Sequence, residues 1–140
     1  MTDPLLQAEL IRDEALRQRM YVDTVGKHTI GVGHNLDAKP ISQRAALVIL
    51  EDDVADVLAE LDAALPWWRE LNEVRQRVLI NMGFNLGVPG LLAFHNALSA
   101  AQAGNYVAAA NEMLNSKWAT QVGERAQRLA KMMATGEEPE

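Results

Sequence analysis

Residues 12–34 read RDEALRQRMYVDTVGKHTIGVGH, and this stretch decides how the rest of the chain is read. It holds two short β-prone runs, Tyr21-Val22-Asp23 and His28-Thr29-Ile30, around the glycine-containing turn Thr24-Val25-Gly26-Lys27, which together read as a hairpin. Gly31 and Gly33 bracket Val32 and permit close backbone approach or unusual dihedrals. Upstream, Asp3-Pro4 reads as a helix start, with aspartate as N-cap and proline at the first helical position. The helix should run to about Glu14, with Leu6, Leu10 and Ile11 on one face.

Downstream the pattern is helical. Ser42 caps a helix expected to reach Leu65, with an apolar stripe at Leu47, Leu50, Val54, Val57 or Leu58, Leu61 and Leu65, and Pro66 stops it. Asn72 caps a second helix, Glu73 to Leu86, ended by Gly87-Val88-Pro89-Gly90. Leu91 to Ala103, Tyr106 to Leu114 and Val122 to Met133 read as three more, broken at Gly104-Asn105 and at Ser116 to Thr120. Trp67, Trp68 and Trp118 read as packing residues, and Met82, Met113, Met132 and Met133 as gap-filling core.

The chain has 140 residues, about half of them apolar, enough for one globular domain with a sizeable core. Without cysteine it has no disulfide, thiolate metal site or cysteine nucleophile. No apolar run approaches the roughly 20 residues of a membrane span, and Met1-Thr2-Asp3-Pro4 lacks a secretory pattern, so synthesis in the cytoplasm and no stable membrane association are expected. The net charge of −6 argues against general nucleic-acid binding. The charge is uneven: residues 1–66 carry six basic and twelve acidic side chains, whereas residues 67–136 carry seven basic and four acidic. That mildly basic half could meet an anionic polymer locally, and the acidic tail 137–140 reads as disordered.

Glu14 at a helix end and Asp23 in a hairpin put two carboxylates on different local structures, the minimum equipment for cleaving a glycosidic bond. One must be protonated to act as acid, and the other stays ionised to stabilise positive charge or orient a water. Thr29 adds a hydroxyl that could hold that water. Singly, each has an ordinary structural reading: a solvated helix end, a turn aspartate, a strand threonine. Gathered in one segment, the three favour chemistry. His28, His34 and His95 do not supply ligands at workable spacing, so no metal and no cofactor is expected.

Asp13-Glu14, Tyr21-Val22-Asp23-Thr24, Gly26 and Thr29-Ile30-Gly31-Val32-Gly33-His34 resemble the catalytic segment of bacteriophage lysozymes (endolysins of glycoside hydrolase family 24), with its pattern E-x8-D-x5-T followed by I-G-x-G-H. Ile80-Asn81-Met82-Gly83-Phe84-Asn85-Leu86-Gly87 is similar to that family's central helix, and Gly90, Phe94-His95-Asn96, Ser116-Lys117-Trp118 and Arg125-Ala126 match in order and spacing. The resemblance covers residues 5 to 133. It implies a mostly α (α+β), lysozyme-like two-lobe fold in a single domain over 1–136: a small N-terminal β hairpin lobe at about 15–41, a linking helix at about 42–65, and a C-terminal helical lobe at about 66–134 together with the N-terminal helix. It also implies a monomer that hydrolyses bacterial peptidoglycan between N-acetylmuramic acid and N-acetylglucosamine, lysing the host after release through a holin-type pore.

The roles it implies are residue by residue. Glu14 would be the general acid, and Asp23 and Thr29 would position the attacking water. Gly33, Asn35, Phe84, Asn85, Ala97 and Glu112 fall where the family contacts substrate, Arg125 where an arginine pairs with the catalytic glutamate, and His34 and Asp53 where a structural pair stands. The chain departs from the long-known members in a shorter stretch between His34 and Asp53, which reduces the β lobe. It also has Asn35 for leucine, Ala97 for serine, Glu112 for asparagine, and an acidic total charge. Two rivals follow: a lysozyme-fold module that binds the wall or a protein partner without catalysis, and a transglycosylase that leaves an anhydro sugar.

Overall fold

The computed structural model describes residues 3–139; the expectations touching Met1, Thr2 and Glu140 lie outside the described residues. The chain divides into two compact units, one up to Val48 and one from Ile49 on.

In the N-terminal unit, α1 (Pro4–Glu14) starts as the sequence requires: Asp3 is the N-cap, and its side chain accepts from the Leu5 N–H. Pro4 costs nothing there, because a first-turn N–H has no helical partner. Three strands follow, β1 (Arg17–Val22), β2 (His28–Gly31) and β3 (His34–Asn35), antiparallel in the order β1-β2-β3. Tyr21 pairs with Thr29 and Val22 with His28, while the register slips between Arg17 and Tyr21. The Arg17 guanidinium sits over the Tyr21 ring at 4.7 Å across that irregularity. Thr29 pairs with Asn35 and Ile30 with His34. The hairpin is where it was expected, but β1 starts earlier and β3 is an addition. A two-residue strand straight after a glycine carries too little periodicity to be read in advance.

The second unit is helical. α2 (Gln43–Ala64) begins before the unit boundary and continues past it. Its stripe is buried only at Val57 and Leu61, with Leu65 just beyond the helix, whereas Leu47 and Leu50 are exposed. Periodicity fixes which face is apolar, not how far along the helix another element covers it. The chain then turns through a short 3-10 segment, Trp68–Glu70. Asp62 accepts from Trp68 Nε1 at 2.8 Å and from Arg69 Nε at 2.6 Å, which ties this turn back to α2.

α3 (Glu73–Leu86) is capped by Asn72, whose side chain accepts from the Arg75 N–H. After it come α4 (Val88–Leu92), α5 (His95–Gln102), α6 (Tyr106–Leu114), α7 (Lys117–Val122) and α8 (Glu124–Thr135). Gly87 ends α3 as expected, but Val88-Pro89-Gly90 also starts a short helix, since a proline in the first turn is a helix starter, and the single helix expected over Leu91 to Ala103 divides between α4 and α5. Ser116, read as part of a break, is the N-cap of α7: its hydroxyl accepts from the Ala119 N–H and donates to the Met113 carbonyl.

The apolar core lies wholly in this unit, from Val57 to Met133, and includes Trp68, Trp118, Met82, Met113, Met132 and Met133 as expected. Arg75 closes it: Nε donates to the Met133 carbonyl at 2.7 Å, Nη2 to that of Ala134, and the guanidinium lies 3.5 Å from the Tyr106 ring centre. The last carbonyls of α8 thus find a charged donor in place of solvent.

Candidate active site

In the N-terminal unit, α1 ends on Glu14 because the next residue leaves helical space. Ala15 adopts φ 66° and ψ 155°, while its N–H still bonds the Ile11 carbonyl at 2.8 Å. Among the described residues it is the one non-glycine with positive φ. Glu14 is solvent-exposed as a residue, yet its side chain lies along the backbone of Gly33. A Cβ added to Gly33 would stand 2.8 Å from Glu14 Oε2, 3.1 Å from Cδ and 3.2 Å from Cγ. Gly33 itself has φ +67°. The glycine after Val32 is therefore required twice, by its backbone and by its neighbour.

Asp23 sits at the hairpin turn. Its Oδ1 accepts from the Val25 N–H at 3.0 Å and the Lys27 N–H at 2.8 Å, and its own N–H bonds the Lys27 carbonyl. The turn reading and the chemical one coexist, because Oδ2 takes no part in the turn. Thr29 is buried, at 3% exposure, and its Oγ1 donates to the Lys27 carbonyl at 2.9 Å. With its proton so used, the hydroxyl can only accept from any further partner.

Asn35 spends its Oδ1 on the N–H groups of Asp37 and Ala38, shaping the turn after β3. That turn is held to β2 by Asp37, which accepts from the His28 N–H at 2.7 Å and lies 3.0 Å from His28 Nδ1. The His28 backbone N–H first, and its ring second, hold the Asp37 carboxyl below its usual range. Sequence reading missed this tether, although an aspartate nine residues after the start of a strand was its visible trace. His34, in β3, has a buried Nε2 with no hydrogen-bond partner among the described residues.

The second unit carries the other expected residues on two separate surfaces. Ala97 and Glu112 line an open groove of about 480 Å³ with Phe94, Asn96, Lys117 and Trp118. Asn85, itself exposed and not part of that lining, accepts through Oδ1 from Trp118 Nε1 at 2.8 Å, and Phe94 meets the Trp118 ring edge-on at 5.9 Å. Phe84 and Arg125 share a more apolar groove of about 310 Å³ with Leu50, Val54, Ile80 and Asn81. Asn81, which sequence reading gave no role, orients Arg125: its Oδ1 accepts from Nε at 3.0 Å and Nη2 at 2.7 Å. Asp53 lies exposed on α2. No group of three or more His, Asp or Glu suited to a metal occurs among the described residues, and none of their helices is long and apolar enough to cross a membrane.

A mostly helical α+β chain, with one carboxylate at a helix end and another at the hairpin turn of a small antiparallel sheet, defines the class: a lysozyme-like fold. The chain belongs to the phage lysozyme family, whose sequence model matches residues 12–134. It is 31% identical over 158 residues to the pre-baseplate central spike protein Gp5 of Enterobacteria phage T4, an alignment that takes in 92% of this chain but spans only 28% of that protein. Two proteins of Dictyostelium discoideum, probable T4-type lysozyme 1 and probable T4-type lysozyme 2, are 28% and 27% identical to it, each over 89% of this chain and 90% of their own length.

Proposed function

We propose that this chain is a muramidase that hydrolyses the β-1,4 bond between N-acetylmuramic acid and N-acetylglucosamine in bacterial peptidoglycan. The observation that carries the reading is the state of the three side chains in the N-terminal unit. Glu14 presents its carboxyl group against a bare Cα, Asp23 keeps Oδ2 outside its turn, and Thr29 has only lone pairs left to offer.

Cleavage then runs as follows. Glu14, protonated, gives its proton to the glycosidic oxygen as the bond to the anomeric carbon breaks. Asp23 Oδ2 and Thr29 Oγ1 are both acceptors, so a water between them points its protons at the protein and a lone pair at the anomeric carbon. Asp23 takes up the proton released as that water attacks. Attack from the face opposite the leaving group inverts the anomeric configuration.

Arg125, whose guanidinium Asn81 orients, is a supporting residue of the second unit on this reading, as Asp53 is, and His34 is one of the N-terminal unit. In the N-terminal unit Gly33 forms backbone wall and Asn35 meets the glycan; in the second unit Phe84, Asn85, Ala97 and Glu112 are its glycan-facing residues on this reading. The protein acts as a monomer: it is made in the host cytoplasm, reaches the wall through a holin-type pore, and lyses the host.

The test is clearance of permeabilised cells by wild type, Glu14→Gln and Asp23→Asn. Loss of the acid should slow lysis by about 10²- to 10⁴-fold with the melting temperature little changed. Equal rates for wild type and both variants would remove the enzyme. Mass spectrometry of the products separates hydrolysis from transglycosylation, which leaves an anhydro sugar. One observation favours a second reading: a relative named as a spike protein contains a region like this chain within a much longer polypeptide. On that reading the chain is a lysozyme-fold module that docks to wall or protein without cutting, and the same assay would show no clearance.

A further inference from the structure

We propose that Gly33 is a positioning residue for the reaction: its bare Cα is the seat that fixes the Glu14 carboxyl group. The inference rests on Glu14 being the general acid. A glutamate on the last turn of an exposed helix ordinarily samples several rotamers and costs entropy to fix. Here the stem and the head of the side chain lie flat against one backbone position, with Cγ, Cδ and Oε2 all within 3.2 Å of the point a methyl group would occupy. Contact along the whole side chain narrows its rotamers without consuming a hydrogen bond, so both carboxyl oxygens stay available to substrate. Alignment of a reacting group to within a fraction of an ångström is worth orders of magnitude in rate.

The ends that meet are both set by unusual backbone. Ala15, at φ 66°, stops α1 one residue after Glu14, and Gly33, at φ +67°, turns the chain after Val32 to present its Cα. The molecule also contains its own control. Gly31, two residues earlier, has φ +70° and nothing within 4 Å of its added Cβ. Alanine at Gly31 and at Gly33 therefore incurs the same kind of backbone strain, and only at Gly33 does the methyl collide with Glu14.

The experiment uses the full chain in three forms: wild type, Gly33→Ala and Gly31→Ala. In wild type, nuclear Overhauser contacts between the Gly33 Hα protons and the Glu14 Hγ protons are expected; this needs no variant and survives any folding failure. In Gly33→Ala, kcat for a soluble peptidoglycan fragment should fall at least tenfold with KM within about twofold. The Glu14 carboxyl carbon resonance should also move at fixed pH. Gly31→Ala should lose a comparable amount of melting temperature, yet keep kcat within twofold and leave that resonance in place. Absent contacts, or equal kcat losses in the two variants, overturn the seat. A wild type without any lytic activity would instead overturn the hydrolase reading, and with it the catalytic half of this inference, while the Overhauser contacts would still decide the geometry.

Discussion

The two units of this chain are held by different physics. Among the described residues every buried apolar one lies at or beyond Val57, in the helical unit, whereas the N-terminal unit buries one polar side chain, that of Thr29. The helical unit gains its shape from area removed from water. The N-terminal unit gains its shape from local polar bonds: the Asp23 turn, the Thr29–Lys27 bond, the Asn35 turn and the Asp37 tether to His28. The difference teaches where chemistry is compatible with folding. The groups proposed to meet water and sugar are set by short-range hydrogen bonds and glycine geometry, and the apolar core that supplies stability is built elsewhere in the sequence.

The largest expected effect breaks the apolar side of that contrast. Leu61, on α2, is fully buried among the core residues. Leu61→Ala removes its burial and leaves a cavity, at a cost of about 2–5 kcal/mol. By contrast Val25, at 74% exposure in the hairpin turn, loses nothing by truncation, and Val25→Ala should stay within about 0.5 kcal/mol. Urea unfolding with each variant checks both figures. A loss below about 1 kcal/mol for Leu61→Ala would mean that burial is not what holds the helical unit.

The same contrast explains what could be read in advance. The helices of the second unit announce themselves by cap and period: Asn72 before Glu73, Pro66 after Leu65, and the spacing of Val57, Leu61 and Leu65. Glu14, Asp23 and Thr29 stand out in the sequence because their spacing is a local pattern, and their catalytic roles belong to the proposed function. The Asp62 link to Trp68 and Arg69, and the pairing of Asn81 with Arg125, were not. Each joins positions whose sequence neighbours give no period, and an asparagine that orients an arginine looks like any other helical asparagine. Ala15 was invisible for another reason: alanine is the best helix former, and only the structure places it at φ 66°.

That residue gives the next prediction, smaller and of opposite sign. The left-handed extended region that Ala15 occupies is essentially glycine territory and costs a residue with a Cβ about 1–3 kcal/mol. Ala15→Gly relieves this strain, less the roughly 0.4–1 kcal/mol by which glycine loosens the unfolded chain. The net expectation is a stabilisation of about 1 kcal/mol, read from the urea midpoint at unchanged slope. Such a gain would sharpen the comparison, since it would show the N-terminal unit carrying stored strain beside Glu14 that no core residue offsets locally. A destabilised Ala15→Gly would mean the position is unstrained.

The smallest effect concerns acid. Asp37 in the N-terminal unit and Asp62 in the helical unit are both exposed carboxylates held below their usual 3.8. The cause differs: for Asp37 it is chiefly the His28 backbone N–H, then the His28 ring, and for Asp62 chiefly the Arg69 guanidinium, then Trp68 Nε1. A carboxyl whose folded value is depressed adds stability that is complete above its unfolded value and vanishes as pH falls through the folded one. Both contributions are therefore fully present near neutrality and are lost only below 3.8. Asp37→Asn and Asp62→Asn should each lower the melting temperature near neutral pH, and the difference from wild type should shrink as pH falls below 3.8. The Asp37 variant should also shift the amide resonances of His28 and Ala38 at neutral pH, because in the N-terminal unit the hydrogen bond holds the turn itself. In the helical unit the core around Trp68 should keep the chain in place without Asp62. If Asp62→Asn disturbs its neighbours as much as Asp37→Asn does, the division between a unit shaped by polar bonds and a unit shaped by burial is wrong at its edges.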